Sequence, residues 1–585
     1  MFDAGEMMAE RTDADKAKDV LKYWEYLKQI RLPFESVIND ILEFVRQSRP
    51  ISSTPKGQKL TENVYDGTAI SALNLWADGI YGYLCSPNLD WFSLTLPNTI
   101  NFPRASSMRR FSGKRLDEIP EVSQWLNYCE DVMKSAFVGS NFYAVMPQFF
   151  RDGGSVGTAA MDVEEDLDTG RIFFTPLHFR EFCIAENKNR MVDTLYRRFQ
   201  VTLRNLVQRF GIDKLKEVDS EFERKHKENP YEEVYVIHAV QPRMDFDPNR
   251  IDSKAMPWGS YWLLEGKNDK LLHEGGYRRF PSIGWRYRKE TDEVYGRSPA
   301  WDAYSEIMSA QQEAKTNLIA AQKMAEPPMV GTEDLRGKVQ SGPKGWTYVE
   351  MMSELPQPLN TGIQLPYALD LRERTQKVIK EFFNVDFFLM MSQAAMNGIE
   401  RITATQVIEM AGEKAAVLAT RTDTLNIEAM NPIIDRVWDI EMEAGRLPPP
   451  PDIVIEYGGG KLEVDYLGPL AQAQKVMFRT RGIKACLETA SQIGIMFPES
   501  LDVWDGDEMQ REIGKAYRVP SNVLKSEADV AKLRLQRIQA SQMEQGISQG
   551  IDIAKALPAA GTAIQKGSAL DILTGGAMGG NEARQ

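Results

Sequence analysis

Between Val294 and Leu447 the chain lays two amphipathic helical patterns on either side of a compact insert broken by proline and glycine. A Met/Gly-rich loop then leads into one very long helical pattern. The first pattern starts near Pro299 and sets Trp301, Tyr304, Ile307, Met308 and Leu318 at helical spacing to about Ala325. Glu326, Pro327 and Pro328 end it, because proline lacks the N–H and its ring clashes with the preceding turn. The insert 326–366 holds short strand-like pieces such as 346–349, and helicity resumes through Leu369, Leu371, Val378, Ile379, Phe382 and Phe383. Residues 386–402 carry Met390, Met391, Met396, Asn397 and Gly398, a composition suited to an adaptable exposed loop. The longest pattern, 404–444, contains Val407, Leu418, Leu425, Ile433 and Val437, with Asn431 and Pro432 inside it. Either the helix kinks there, or Asn431 caps a new helix with Pro432 at its first position. Pro448 to Pro451 stop it.

The first half reads as mixed helix and strand. Ala17, Val20, Leu21, Trp24 and Leu27 form a helical stripe that Pro33 is expected to break or kink, with a second helix through Val37, Ile38, Ile41, Leu42 and Val45. Residues 60–84 and 121–149 are helical in pattern, the latter with a distortion expected at Gly139. Residues 171–175 and 234–240 are rich in β-branched and aromatic residues and read as strands. Thr202 to Phe210 reads as a short helix closed by Gly211. Residues 453–457, a triple glycine, and 461–466 read as a β-hairpin, and further helices run to about Gln542. The Gly/Ala-rich end of the chain has weak periodicity and reads as disordered.

At 585 residues the chain is too long for one core. A net charge of −13 opposes tight gripping of nucleic acid, which depends on Lys and Arg neutralising phosphates. Four widely spaced cysteines and four histidines offer no metal-ligand spacing, no phosphate-binding loop occurs, and no apolar run is long enough to span a bilayer. The start of the chain is polar, without a signal-peptide core, so a soluble, intracellular protein is expected. The five acids between Asp162 and Asp168 read as a solvated face or turn. Gly153 to Gly157 matches the G-x-S-x-G nucleophile-elbow pattern around Ser155, but it follows a helix pattern rather than a buried strand, which argues against a serine hydrolase.

Several segments, in order, closely resemble the portal (head-to-tail connector) family of short-tailed, T7-like bacteriophages. They are Tyr295–Ala300 with Glu326–Val330, Ile402–Glu409 with Met430–Val437, Leu195–Phe199 with Asn205–Gly211, and Val464–Gln474. Each alone is weak; the ordered set over most of residues 10–540 is specific. The resemblance implies an α+β, mostly helical portal fold with wing, stem, clip and crown, assembled as a ring with a central channel. The wing would be 1–296 with the hairpin 452–466; the stem, helices 297–325 and 367–384; the clip, 326–366; and the tunnel loop, 385–402. A long kinked helix 403–447, the hairpin return 448–468, crown helices 469–542 and the tail 543–585 would follow.

The resemblance further implies a twelve-subunit ring at one capsid vertex of the virion, assembled in the host bacterial cytoplasm. Double-stranded DNA would be packaged and ejected through it without sequence specificity. Its partners would be terminase, then head–tail adaptor and tail proteins, together with capsid and scaffolding proteins. No membrane partner, cofactor, catalytic residue or metal ligand is expected, and the alternative is another ring-forming head–tail adaptor. Residues 297–403 hold 13 acids and 11 bases, a nearly neutral wall past which DNA can slide. Met390, Met391, Met396, Asn397, Gly398 and Arg401 are the expected channel-loop residues. Arg401 would touch phosphate, or else pair with Glu400 or a neighbouring subunit. Arg336, Lys338, Lys344 and Trp346 are the expected docking residues of the clip.

Overall fold

The computed structural model describes residues 12–49, 63–96 and 119–331 with short gaps, parts of 333–359, then 365–389, 423–457 and 463–466, with a few positions beyond. The chain divides into two compact units, 1–474 and 475–585. In the second, the described residues are a short helix at 532–537 and three isolated positions, so the expected crown helices and tail lie outside them.

Helix α1 (Asp13–Ile41) begins at Thr12, whose hydroxyl accepts from Asp15 N at 3.3 Å. It runs straight through Pro33, where the sequence predicts a break. Proline inside a helix costs about 3 kcal/mol, but Trp24, Leu27, Arg31, Ile38 and Ile41 are all buried on the two sides of it, and packing outweighs the local preference. A π-helical turn, Leu42–Arg46, closes on left-handed Gln47. Helix α2 (Thr68–Leu84) and strand β1 (Phe92–Thr95) follow.

The expected distortion near Gly139 is a full break between α3 (Pro120–Gly139) and α4 (Phe142–Val156). Ser140 is extended, and the Asn141 amide makes two 2.8 Å hydrogen bonds with the backbone of Phe174, acting as an extra strand residue would.

Strands β2 (Thr158–Asp166) and β3 (Arg171–Leu177) pair antiparallel. Then β4 (Phe182–Glu186), β5 (Val192–Thr202), β6 (Glu233–Pro242), β7 (Trp258–Leu264) and β8 (His273–Tyr277) form a five-stranded antiparallel sheet in chain order. Helices α5 (Leu203–Phe210), α6 (Ile212–Val218) and α7 (Phe222–Glu228) sit between β5 and β6. Alternation along the strands covers both sheet faces. Tyr196, Ile237, Ala239 and Leu263 meet Trp24 and Leu27 of α1. Val236, Trp262 and Leu264 meet Leu203, Leu206, Leu215 and Phe222 on the other side.

Strand β9 (Ser282–Arg286) pairs with β2, and the short β10 (Arg288–Lys289) with β11 (Gly296–Arg297). Beyond these come α8 (Pro299–Asp302), α9 (Tyr304–Ala325), the ribbon β12 (Met329–Val330) with β13 (Gln357–Pro358), and α10 (Leu365–Phe382). A second π turn, Asn426–Met430, feeds α11 (Asn431–Glu443). All of these except the ribbon pack on the largest core, where Trp91, Phe92, Phe137, Phe142 and Phe174 form one aromatic cluster.

The hairpin expected over 452–466 is not formed. Asp452–Tyr457 is a helix, α12, and β14 (Glu463–Tyr466) pairs antiparallel with β1 instead. Pro451 starts the helix: its carbonyl accepts from Val454 N at 2.8 Å and Ile455 N at 3.2 Å. The fixed proline φ and Asp452 in the first turn favour that start over the β propensity of 453–455.

The acidic run at the end of β2 is not uniformly solvated. Asp162 is buried, accepts a 2.5 Å bond from Ser282 Oγ, and burial pushes its carboxyl up to about 6. Because the folded value lies above the unfolded one, this contribution to stability is full below pH 4 and is lost as pH rises to about 6. Asp162→Asn is therefore expected to raise the melting temperature at neutral pH and flatten its dependence between those limits, as a calorimetric pH series would show.

Candidate functional site in the paired helices and their tip

The helix pair α9–α10 is built outward from a rigid seat. Ser298 caps α8, accepting from Trp301 N at 2.9 Å while its hydroxyl donates to Ser155 O at 2.5 Å. Arg288 grips Asp302 through two bonds of 2.5 and 2.7 Å. The Tyr304 hydroxyl donates to Asp40 at 2.6 Å, a bond that pushes its pKa up to about 12 and ties the start of α9 to α1.

The Tyr65–Asp66 segment then clamps both helices, α10 through the Asp66 carboxylate and α9 through the main chain. Asp66 Oδ2 accepts from Arg372 at 3.2 and 2.9 Å and from Gln376 at 2.6 Å; these residues stand one turn apart on α10. From α9, Gln311 accepts the Tyr65 and Asp66 amides at 2.8 and 2.9 Å and donates to Asp66 O at 2.7 Å. Burial opposes ionisation of Asp66, but hydrogen bonds from Thr68, Gln376 and Arg372 outweigh it and hold the carboxyl below the ordinary range. Asn317 reaches Ala368 O at 3.4 Å, and Thr375 reaches Glu313 at 3.2 Å, which makes the pair antiparallel.

Beyond Asn317 the pair leaves the core. No residue from Leu318 to Ala325 is buried; Leu318 is 50% exposed and Met324 54%. Leu369 and Leu371 of α10 are exposed as well, as are Met329 and Val330 in the ribbon. Exposed apolar side chains gathered at one end of a helix pair point to an interaction site. Of the expected docking residues, Arg336 is exposed and meets Glu333 at 3.5 Å. Lys338, Lys344 and Trp346 lie outside the described residues.

The expected loop 385–402 starts differently. Asn384 is left-handed (φ 52°), and 385–389 form a helical turn with Val385, Phe387 and Phe388 buried. The Phe388 ring lies against Gly79 of α2, where a Cβ would stand 2.3 Å from it. Met390, Met391, Met396, Asn397, Gly398 and Arg401 lie outside the described residues.

In the described part of the expected long helix, Asn431 has helical backbone angles and does not cap; its side chain accepts from the Tyr466 hydroxyl of β14. The π turn just before Pro432 is the local adjustment, with Asn431 N bonded to Asn426 O five residues back. That turn carries Glu428, whose carboxylate binds the fully buried Arg286 through Nη2 at 2.5 Å and Nε at 3.1 Å, and Arg286 N at 2.9 Å.

The G-x-S-x-G stretch is explained by packing. Gly153 and Gly154 lie under the rings of Trp285 and Trp76, and Ser155 donates to Arg151 O at 2.7 Å inside α4. Gly157, at φ 87°, abuts the backbone of Gly296. The decoy motif and the Tyr295–Ala300 segment are thus two sides of one contact. Sequence reasoning missed Asp66, Gln311, Gln376, Arg286 and Glu428. The i, i+4 spacing of Arg372 and Gln376 was the one visible hint. Among the described residues no group of three or more His, Cys, Asp or Glu could hold a metal ion, and no helix is long and apolar enough to cross a membrane.

A family model described as bacteriophage head to tail connecting protein matches residues 17–524. A probable portal protein of Bordetella phage BPP-1 is 30% identical over 575 residues, 95% of this chain and 98% of that protein. The portal protein of Salmonella phage epsilon15 is 29% identical over 544 residues, 91% of this chain and 93% of its own.

Proposed function

This chain belongs to the bacteriophage head to tail connecting protein family, and on that premise we propose that twelve copies close a ring at one capsid vertex. Its function is that of a portal, a structural virion component joining head to tail. Double-stranded DNA enters and leaves through the channel of this ring, past a wall formed by α9 and α10.

The observation that supports this reading best is the uncovered apolar surface of the outer helix pair. A ring needs head-to-tail interfaces that differ on the two sides of each subunit. Leu318 and Ile319 on α9 and Leu369 and Leu371 on α10 are the exposed apolar residues available to such interfaces. Replacing both Leu318 and Ile319 by Asp is expected to leave a folded subunit and abolish rings. Class averages from electron microscopy of the purified protein would count the symmetry of the parent and show the variant as single subunits. Rings from the variant would remove the helix pair from the interface.

The tip beyond β12 and β13 is the docking surface, first for the packaging motor terminase and later for head–tail adaptor and tail proteins. Residues 390–401 carry Arg401 to the DNA backbone, and capsid and scaffolding proteins meet the ring during assembly in the host cytoplasm. Deleting 331–345 is expected to abolish terminase capture by intact rings, while Arg401→Ala keeps rings but alters packaged length or retention. Terminase capture unchanged by the deletion, or packaging unchanged by Arg401→Ala, would reject the corresponding role.

A further inference from the structure

The chain is acidic overall, yet one surface collects cations. The residues at the end of the π turn, Arg46, Ser48 and Arg49, come together with His178 and Arg180 from the β3–β4 connection. His178 joins the two segments: Nδ1 accepts from Arg180 N at 3.2 Å, and Nε2 lies 3.3 Å from Ser48 Oγ. With Nδ1 accepting, Nε2 carries the proton and points it at Ser48, which leaves the Ser48 hydroxyl hydrogen free to donate outward. Burial and then the charges of Arg180, Arg46 and Arg49 hold His178 neutral, its pKa lowered to about 4.

Two carboxylates beside this cluster are engaged with other arginines. Asp152 binds Arg46 at 2.9 Å, and Glu181 binds Arg197 at 3.2 Å. Arg180 is left over. Its Nη1 is buried with no hydrogen-bond partner among the described residues, and so is the Nε of Arg151 on α4. Burial and then the like charge of Arg49 pull the Arg180 pKa down. A buried donor without an acceptor costs free energy, and adjacent guanidiniums repel. A tetrahedral oxyanion offsets that repulsion, because the planar guanidinium fork matches its oxygens.

We propose that Arg49, Arg180 and Ser48 form a binding site for a phosphate-type oxyanion, either inorganic phosphate or the phosphodiester of a nucleic acid. The site is built from the π turn after α1 and the β3–β4 connection, and it does not depend on the channel reading.

The test uses the full-length assembled protein, melted in increasing sodium phosphate against sodium chloride at matched ionic strength. The melting temperature is expected to rise saturably with phosphate alone. Arg180→Ala, which deletes a side chain whose Nη1 has no hydrogen-bond partner among the described residues, is expected to remove that increment, and Ser48→Ala to weaken it. The absence of a saturable increment in the parent, or an identical one in both variants, would overturn the proposal. A short labelled DNA duplex separates the two sources. If Arg180→Ala lowers the salt slope of duplex binding by about 1, the ligand is a phosphodiester. If duplex binding is unchanged while the phosphate increment is lost, the ligand is the free anion. Ring formation, followed separately by microscopy, reports on the portal reading and not on this site.

Discussion

Glu428→Gln is expected to cost about 3 kcal/mol, because it removes one partner of a buried ion pair and leaves the other without compensation. Arg286 is fully buried, and three of its bonds converge on the two oxygens of Glu428. A glutamine of the same shape keeps one oxygen and turns an NH2 group towards those donors. Glu186 also contacts Arg286, which keeps the loss at the lower end of the range for such pairs. The contact joins residues 142 positions apart, tying the π turn before α11 to β9, so its loss should free α11 before the sheets. Denaturant unfolding checks the magnitude. The double variant Glu428→Gln with Arg286→Met should recover much of the loss, since the buried guanidinium is then gone and Glu186 keeps Lys289 as its partner. Additive single-variant losses would show that the pair is not coupled as described.

Gly157→Ala should be at least as damaging, for a different reason. Its φ of 87° disfavours any side chain, at about 1–2 kcal/mol. The new methyl would also stand 2.4 Å from Gly296 O and 2.7 Å from Arg297 C, backbone atoms that cannot rotate away. Overpacking of that kind adds about 1–3 kcal/mol. Gly266 supplies the control: its φ is 85° in the turn closed by Lys267 N on Leu264 O, but nothing lies within 4 Å of its Cβ position. Gly266→Ala should therefore show the conformational cost alone. Equal losses at the two sites in thermal melts would mean that the Gly157–Gly296 approach carries no energetic weight.

Local chemistry was legible in the sequence wherever one residue type dictates backbone geometry. Pro327 and Pro328 end α9 as read, and Thr202 and Gly211 bound α5 as read. Where a local preference competed with packing, packing decided: Pro33 sits inside α1, and the β-branched 453–455 are helical. The clamp around Asp66 was invisible because Asp66 and Arg372 are 306 positions apart and neither has an unusual neighbour in the chain. The same holds for Arg286 and Glu428. G-x-S-x-G was legible as a pattern but not as packing, since nothing local shows that Trp285 and Trp76 will lie over those glycines.

The Asp66 clamp also has a mechanical meaning. The helix pair is fixed where α9 and α10 meet Gln311, Arg372 and Gln376, and its far end emerges exposed. A beam held at one end is a cantilever, and a sideways load on its free tip produces the largest bending moment at the support. Whatever pushes on the ribbon is therefore felt most at the short Tyr65–Asp66 segment, whose main chain holds α9 and whose carboxylate holds α10. Through α2, which begins two residues after Asp66 and carries Gly79, that load reaches the turn at Phe388.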